Sequence, residues 1–152
     1  MPESLQSIGA SAFSSCRALT EITLPEGLRT IGTRAFDWTG LTSLHLPENL
    51  EEIGHNAFAS NAELQEVTFP KNLRVIPTDM LYNCSALEKV VLPEQLERIE
   101  ASAFAYCEAL TEIDLPEELQ FVGRNAFERC GFVNIRIPDS VTEIEGNPFK
   151  NC

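Results

Sequence analysis

The sequence lacks any run of 18 or more apolar residues, about the length that a membrane-spanning helix needs. It is also poor in basic residues, with 11 Lys and Arg against 23 Asp and Glu and a formal net charge of −12. Nucleic acids are bound by clustered Lys and Arg, so we expect neither nucleic-acid binding nor membrane insertion. The first ten residues, MPESLQSIGA, contain no basic segment followed by an apolar one, so they predict no secretion signal. If the protein has a partner, its acidity favours a basic one.

Metal ligands are scarce as well. The sequence has two histidines, His45 and His55, and no C-x-x-C pair. Five cysteines recur at one position of a repeated pattern: Cys16, Cys84, Cys107, Cys130 and Cys152. Thiols in single file do not converge on a tetrahedral zinc ion, so we interpret them as small, free thiols lining a corner of the fold. No metal or cofactor is predicted.

What the sequence does have is an internal repeat. Prolines follow one another at steps of 22 or 23 residues: Pro2, Pro25, Pro47, Pro70, Pro93, Pro116 and Pro138. At fixed offsets after each proline come three further columns, which hold Leu or Val, then Ile or Val, then Phe or Leu. The unit reads P-E-x-L-x-x-I-G-x-x-A-F-x-x-C-x-x-L-x-x-I-x-L. Both short steps carry a glycine, Gly40 or Gly131, where one residue is missing.

Such a unit can bury its apolar side chains only against copies of itself. The alternation in L-x-x-I-x-L predicts a half-buried strand, which the following proline ends. The segment A-F-x-x-C suits one helical turn. We therefore predict an α/β fold over residues 1–152: a single right-handed solenoid of about six to seven units of 22–23 residues. A parallel sheet would line the concave face, and short extended or helical segments would form the other. Both ends lack polar caps, which predicts end-to-end self-association or a cut from a longer array.

These motifs resemble those of leucine-rich repeats, and the added I-G-x-x-A-F-x-x-C at a 23-residue period resembles the BspA-like subclass. The resemblance covers the whole chain. It implies a curved solenoid that is often part of larger bacterial or protist surface proteins, which mediate adhesion or protein binding. It therefore implies a cell-surface or extracellular location, and it carries no catalytic residues. Four departures stand out: Pro77 and Glu100 replace the glycine, Met80-Leu81 replaces Ala-Phe, and Pro148 replaces the alanine.

The outward positions of the strands vary while the inward ones repeat. Two such columns lie on one predicted surface: Glu21, Ser43, Glu66, Lys89, Glu112 and Asn134, and Thr23, His45, Thr68, Val91, Asp114 and Arg136. Variable side chains on a solenoid face are what such proteins offer to partners. These twelve residues are our predicted protein-binding site. Lys89 between Glu66 and Glu112, and Asp114 beside Arg136, are also placed to form cross-strand ion pairs.

Two function classes remain open. One is a non-catalytic protein-binding or adhesive module, and the other is a structural spacer or engineered repeat scaffold with no natural ligand. Ser43 and His45, with Glu21 or Glu66 on a flanking strand, are the residue types of a Ser-His-acid catalytic triad. An open sheet face with no oxyanion loop argues against it, so no enzyme is predicted. Glutamates after five of the prolines form an acidic edge, which we interpret as solvated rather than calcium-binding: Glu3, Glu26, Glu48, Glu94 and Glu117.

Overall fold

The computed structural model describes all 152 residues, Met1–Cys152, as a stack of turns that each follow one sequence unit. We number the units 1 to 7 from their prolines, beginning at Pro2. The strands are short: β1 (Ser7–Ile8), β2 (Thr30–Ile31), β3 (Ser43–His45), β4 (Glu52–Ile53), β5 (Glu66–Thr68), β6 (Val75–Ile76), β7 (Lys89–Val91), β8 (Arg98–Ile99), β9 (Phe121–Val122) and β10 (Glu143–Ile144). All pairing between them is parallel.

The strands lie on two sides of the stack. On one side β3, β5 and β7 form a sheet with two columns in register: Ser43, Glu66 and Lys89, and His45, Thr68 and Val91. The predicted sheet is thus present, but it is shorter than expected, because residues 21–23, 112–114 and 134–136 are not strands. On the other side, which we call the short-strand side, two-residue strands form the sheets β1-β2-β4 and β6-β8-β9-β10.

The space between the two sides is filled by the repeated apolar columns. One cluster of 35 buried residues runs through the stack. Its phenylalanine rings stack nearly parallel from unit to unit, with centroids 5.0 Å apart for Phe13–Phe36 and 5.4 Å for Phe104–Phe127. Leu81 interrupts this column in unit 4, where Met80 replaces the usual alanine and both side chains are fully buried. The columns show how the units bury together what none can bury alone.

The predicted helical turn is wrong, and so is the α/β class: the chain contains no helix. In unit 1 the amide N–H groups of Ala12, Ser14 and Cys16 donate to the carbonyl three residues earlier, while the intervening amides donate to unit 2. Two residues of each such corner adopt a left-handed conformation, as Ser11 (φ 56°) and Ser15 (φ 62°) do. A right-handed helix cannot contain them, so A-F-x-x-C forms consecutive β-turns. The chain therefore has no helix that is long and apolar enough to span a membrane.

The shortened corner of unit 2 depends on its glycine. A Cβ atom at Gly40 would lie 2.4 Å from the carbonyl oxygen of Arg17, well inside any real contact distance. The Gly40 amide also donates to the carbonyl of Leu19 at 3.0 Å. The missing residue therefore draws the two backbones together so closely that only glycine fits, as the spacing predicted.

The short-strand side is interrupted between units 3 and 4. Where other units donate an amide to the preceding isoleucine, as Gly54 does to Ile31 at 2.8 Å, unit 4 has Pro77, which has no N–H. A Cβ at Gly54 would also lie 2.3 Å from the Thr33 nitrogen, so this position requires a very close approach. Glu100, however, carries a Cβ at the same position of unit 5, and its amide still donates to Ile76 at 3.0 Å, so the missing N–H of Pro77 is the difference. Accordingly, β4 and β6 are not paired with each other, and a cleft of about 400 Å³ separates them.

Candidate functional site: the strand face

The twelve side chains predicted to bind a partner lie together on one surface, which we call the strand face. It comprises the outward residues of β3, β5 and β7 and of the equivalent segments 21–23, 112–114 and 134–136. Strand alternation places them there, since Leu44 and Val67 between them are buried (1% and 0% exposed). Ten of the twelve are exposed, and Glu66 and Thr68 are partly buried. The structure therefore gathers them on one accessible surface.

Three shallow clefts mark this face. The largest, of about 480 Å³, contains six of the predicted residues: Lys89, Val91, Glu112, Asp114, Asn134 and Arg136. A second, of about 340 Å³, lies at Ser43, Glu66 and Lys89. The third, of about 320 Å³, lies at Thr23, His45 and Thr68. Of the twelve residues, only Glu21 lines none of them.

The ion pairs of the strand face differ in part from the predicted ones. Lys89 Nζ lies 3.6 Å from Glu66 Oε2, as its register allows, but it does not bind Glu112. Arg136 turns away from Asp114 and binds Glu117 of the acidic edge, with Nη1 2.6 Å from Oε1. The hydrogen bond and charge of Glu117 raise the pKa of Arg136 above its ordinary value. Glu112 and Asp114 are left without an ion pair.

The possible catalytic triad is not assembled. Glu66 is the acid in register with Ser43, and its carboxylate pairs with Lys89 instead of His45. Ser43 and His45 are both exposed, and neither donates a hydrogen bond to the other within the chain. Nor do His, Cys, Asp or Glu side chains form a group of three or more that could hold a metal ion.

The cysteine column has a role that the sequence did not reveal. The thiols of Cys84, Cys107 and Cys130 donate to the carbonyl groups of Phe58, Leu81 and Phe104, at 3.3, 3.4 and 3.2 Å. Each thus gives a second hydrogen bond to a backbone oxygen of the preceding unit, which also accepts from Asn61 Nδ2, the Cys84 amide or the Cys107 amide. Burial raises the pKa of Cys84 and of Cys130 to about 12, and that of Cys107 well above its usual value. These thiols are therefore structural and unreactive near neutral pH.

At the same position of unit 3, the side-chain amide of Asn61 replaces the thiol as hydrogen-bond donor. Asn61 Nδ2 donates to the carbonyls of Phe36 and Phe58, at 2.9 and 2.8 Å. Its Oδ1 accepts from the backbone amide of Thr39 at 2.8 Å. The sequence did contain a signal: Cys, Thr and Asn exchange at this position, and all three can donate a hydrogen bond.

The profile of the family described as "BspA type Leucine rich repeat region (6 copies)" matches residues 1–108 and 29–152, and so covers the whole chain. The chain belongs to this family. The resemblance inferred from the 23-residue unit is thereby confirmed. The matching profile describes a repeat region and no catalytic family.

Solved structures of bacterial leucine-rich repeat proteins share the fold of this BspA-type chain. One from Bacteroides ovatus is 35% identical with a TM-score of 0.92, over 95% of this chain and 38% of that one. One from T. pallidum is 29% identical with a TM-score of 0.69, over 74% and 53% of the two chains. One from Eubacterium ventriosum, 24% identical with a TM-score of 0.66, shows the fold alone. The chain thus spans about half or less of these proteins' lengths. No curated protein matches the sequence significantly.

Proposed function

We propose that this chain is a non-catalytic protein-binding module that takes its partner on the strand face. The observation that carries the proposal is the contrast between its two kinds of strand position. Inward side chains repeat from unit to unit, whereas the twelve outward ones differ and are accessible together. Exposed residues that differ on an otherwise repeated scaffold are not needed for packing. Recognition of a partner would explain why they differ.

The three clefts support the same surface. They lie along the strand face and contain eleven of the twelve outward residues. They are shallow and open, which suits a protein segment better than an enclosed small molecule. An adhesive role at a cell surface, which the family resemblance implies, is part of this proposal. Nothing in the fold or in the relatives supports an engineered scaffold.

The test uses two variants that change different surfaces. In the first, Lys89→Glu and Asp114→Lys alter the strand face. In the second, Glu3→Gln and Glu94→Gln remove charge from the acidic edge, and Glu117 is kept because it binds Arg136 of the strand face. A protein captured by the intact chain is purified, and its affinity is measured for each variant. Both variants should keep the unfolding midpoint of the parent, because exposed substitutions usually cost within about 0.5 kcal/mol.

We expect the strand-face variant to lose about tenfold or more in affinity, and the edge variant to stay within about twofold of the parent. Loss of affinity in the edge variant alone would move the site to the acidic edge and refute the proposal. If no purified protein binds the intact chain, the spacer interpretation is the correct one.

A further inference from the structure

The largest cleft of the strand face lies where its strands are unpaired. The hydrogen bonds that would continue the sheet from β7 to residues 112–114 do not form, so the sheet ends at β7. Half-buried Val90, Ile113 and Ile135 lie along the floor, and Val91 is 45% exposed. The cleft of about 480 Å³ thus combines an apolar floor with open strand edges.

The charges around this cleft are not balanced. Its two cations are held by acids outside it, Lys89 by Glu66 and Arg136 by Glu117. Its three acids, Glu88, Glu112 and Asp114, form no ion pair. The unmatched charge is therefore negative, and it lies in a chain whose formal net charge is already −12. A complementary occupant carries positive charge.

The spacing of two of these acids indicates what kind of peptide could bind in the cleft. Glu112 and Asp114 are two residues apart in an extended segment, so their side chains leave the same face about 6.5 Å apart. Alternate side chains of an extended peptide have the same separation. Val91, which precedes Asp114 by one repeat, lies where the methylene stem of a bound Lys or Arg could pack.

We propose that this cleft binds an extended segment of a partner protein that carries Lys or Arg at alternate positions. The inference rests on the proposed protein-binding function and specifies the chemistry of the partner. The two basic side chains bind Glu112 and Asp114, and the segment lies over Val91 and Ile113. Because these ion pairs are partly exposed, binding weakens as salt concentration rises.

The test selects short random peptides on the intact chain at low salt. We expect enrichment of peptides with Lys or Arg at positions i and i+2. Their affinity should fall about tenfold in the variant Glu112→Gln with Asp114→Asn, because two charge-assisted contacts are lost. The matched control is Glu143→Gln with Glu145→Gln, which removes the same charge at the same spacing from the short-strand side. That control should keep the parent affinity.

Three outcomes overturn the inference: no enriched peptide, enrichment of acidic or uncharged peptides, or equal loss of affinity in both variants. The third would show attraction to net charge alone. None of these outcomes refutes the proposed function, which has a separate test: a captured protein can still lose affinity in the Lys89→Glu and Asp114→Lys variant. Conversely, loss of the captured protein's affinity only in the edge variant refutes the proposed function, whatever the peptides show.

Discussion

The thiol of Cys130 donates a hydrogen bond to the carbonyl oxygen of Phe104 over 3.2 Å, and the two residues belong to successive units. Cys107 and Cys84 make the same contact one and two units earlier. The bonds join each unit to the one before it at a buried corner. They make the thiol column a measurable reporter of the stack.

Thiol labelling of the folded protein at pH 8 should distinguish the ends of this column from its middle. Cys16 is exposed and should react first. Cys152 is exposed but donates to Phe127 at 3.0 Å, so it should react more slowly. The buried Cys84, Cys107 and Cys130 should react only after unfolding, when all five thiols become available without reductant. Rapid labelling of Cys107 in the folded protein would contradict this structure.

Stability should fall at alkaline pH. The pKa of Cys84 and of Cys130 is raised from 9.0 to about 12 in the folded protein. Between these values the unfolded chain has lost protons that the folded chain keeps. The free energy of unfolding should therefore be unaffected by these thiols below pH 8 and fall above pH 9, by about 1.4 kcal/mol per pH unit for each thiol. Urea unfolding across this range measures the slope.

Cys84→Ala provides the control for the alkaline experiment. It lowers stability at all pH values, because it leaves a small cavity and removes one of the two hydrogen bonds that the Phe58 carbonyl accepts, the other coming from Asn61. The informative quantity is the slope, which should be less steep by about 1.4 kcal/mol per pH unit above pH 9. An unchanged slope would show that the Cys84 thiol ionises equally in both states.

Replacing Pro77 should join the two sheets of the short-strand side. Pro77→Gly supplies the missing N–H, so the amide at this position can donate to β4 as the Gly54 amide donates to Ile31 of β2. The amides of Arg74 and Val75 should then exchange with solvent more slowly. The net change in stability should be small, because glycine also loosens the unfolded chain, by about 0.4–1 kcal/mol.

The reverse substitution, Gly54→Pro, tests the same interpretation from the other side. It removes the bond from the Gly54 amide to Ile31 and forces a Cβ against Thr33. It should destabilise by about 3 kcal/mol or more and speed amide exchange in β2. If instead Pro77→Gly leaves exchange at Arg74 and Val75 unchanged, another cause keeps β4 and β6 apart.

Met80 and Leu81 should be energetically coupled, since together they replace the Ala-Phe pair found in five of the other six units. Met80→Ala alone should cost about 2–5 kcal/mol, because it leaves a cavity. Leu81→Phe alone should cost about 1–3 kcal/mol through overpacking. In the double variant the new ring can occupy the space that Met80 leaves and stack on Phe58 and Phe104. Denaturant unfolding should show a loss smaller than the sum by about 1 kcal/mol or more. Simple additivity would show that the two sites pack independently.

Sequence spacing predicted which side chains are buried, because a repeated apolar column has to meet its own copy. Phe36, Leu44 and Ile53 lie in the core for this reason. Spacing also placed the outward residues of β3, β5 and β7 on one face.

Other features depend on bonds between units, which the local sequence does not encode. Ala35-Phe36 would suit a helix in isolation, but the amides of Arg34 and Phe36 bond to unit 3 and fix a chain of turns instead. The contact of Arg136 with Glu117 joins residues 19 positions apart in unit 6, which local sequence does not encode either. The break at Pro77 was visible as a departure from the pattern, yet its effect required knowing that the glycine position lies in a ladder.

The interruptions on the two sides of the stack fall at different junctions between units. Units 3 and 4 have lost their bonds on the short-strand side but are joined by β5 and β7. Units 1 and 2, 4 and 5, and 5 and 6 have no ladder on the strand face but are joined on the short-strand side. Each junction between neighbouring units therefore keeps at least one ladder. A force that pulls the two ends of the stack apart must therefore break a ladder at every junction. Unit 4 takes part in both sides, since it pairs with unit 3 on the strand face and with unit 5 on the short-strand side.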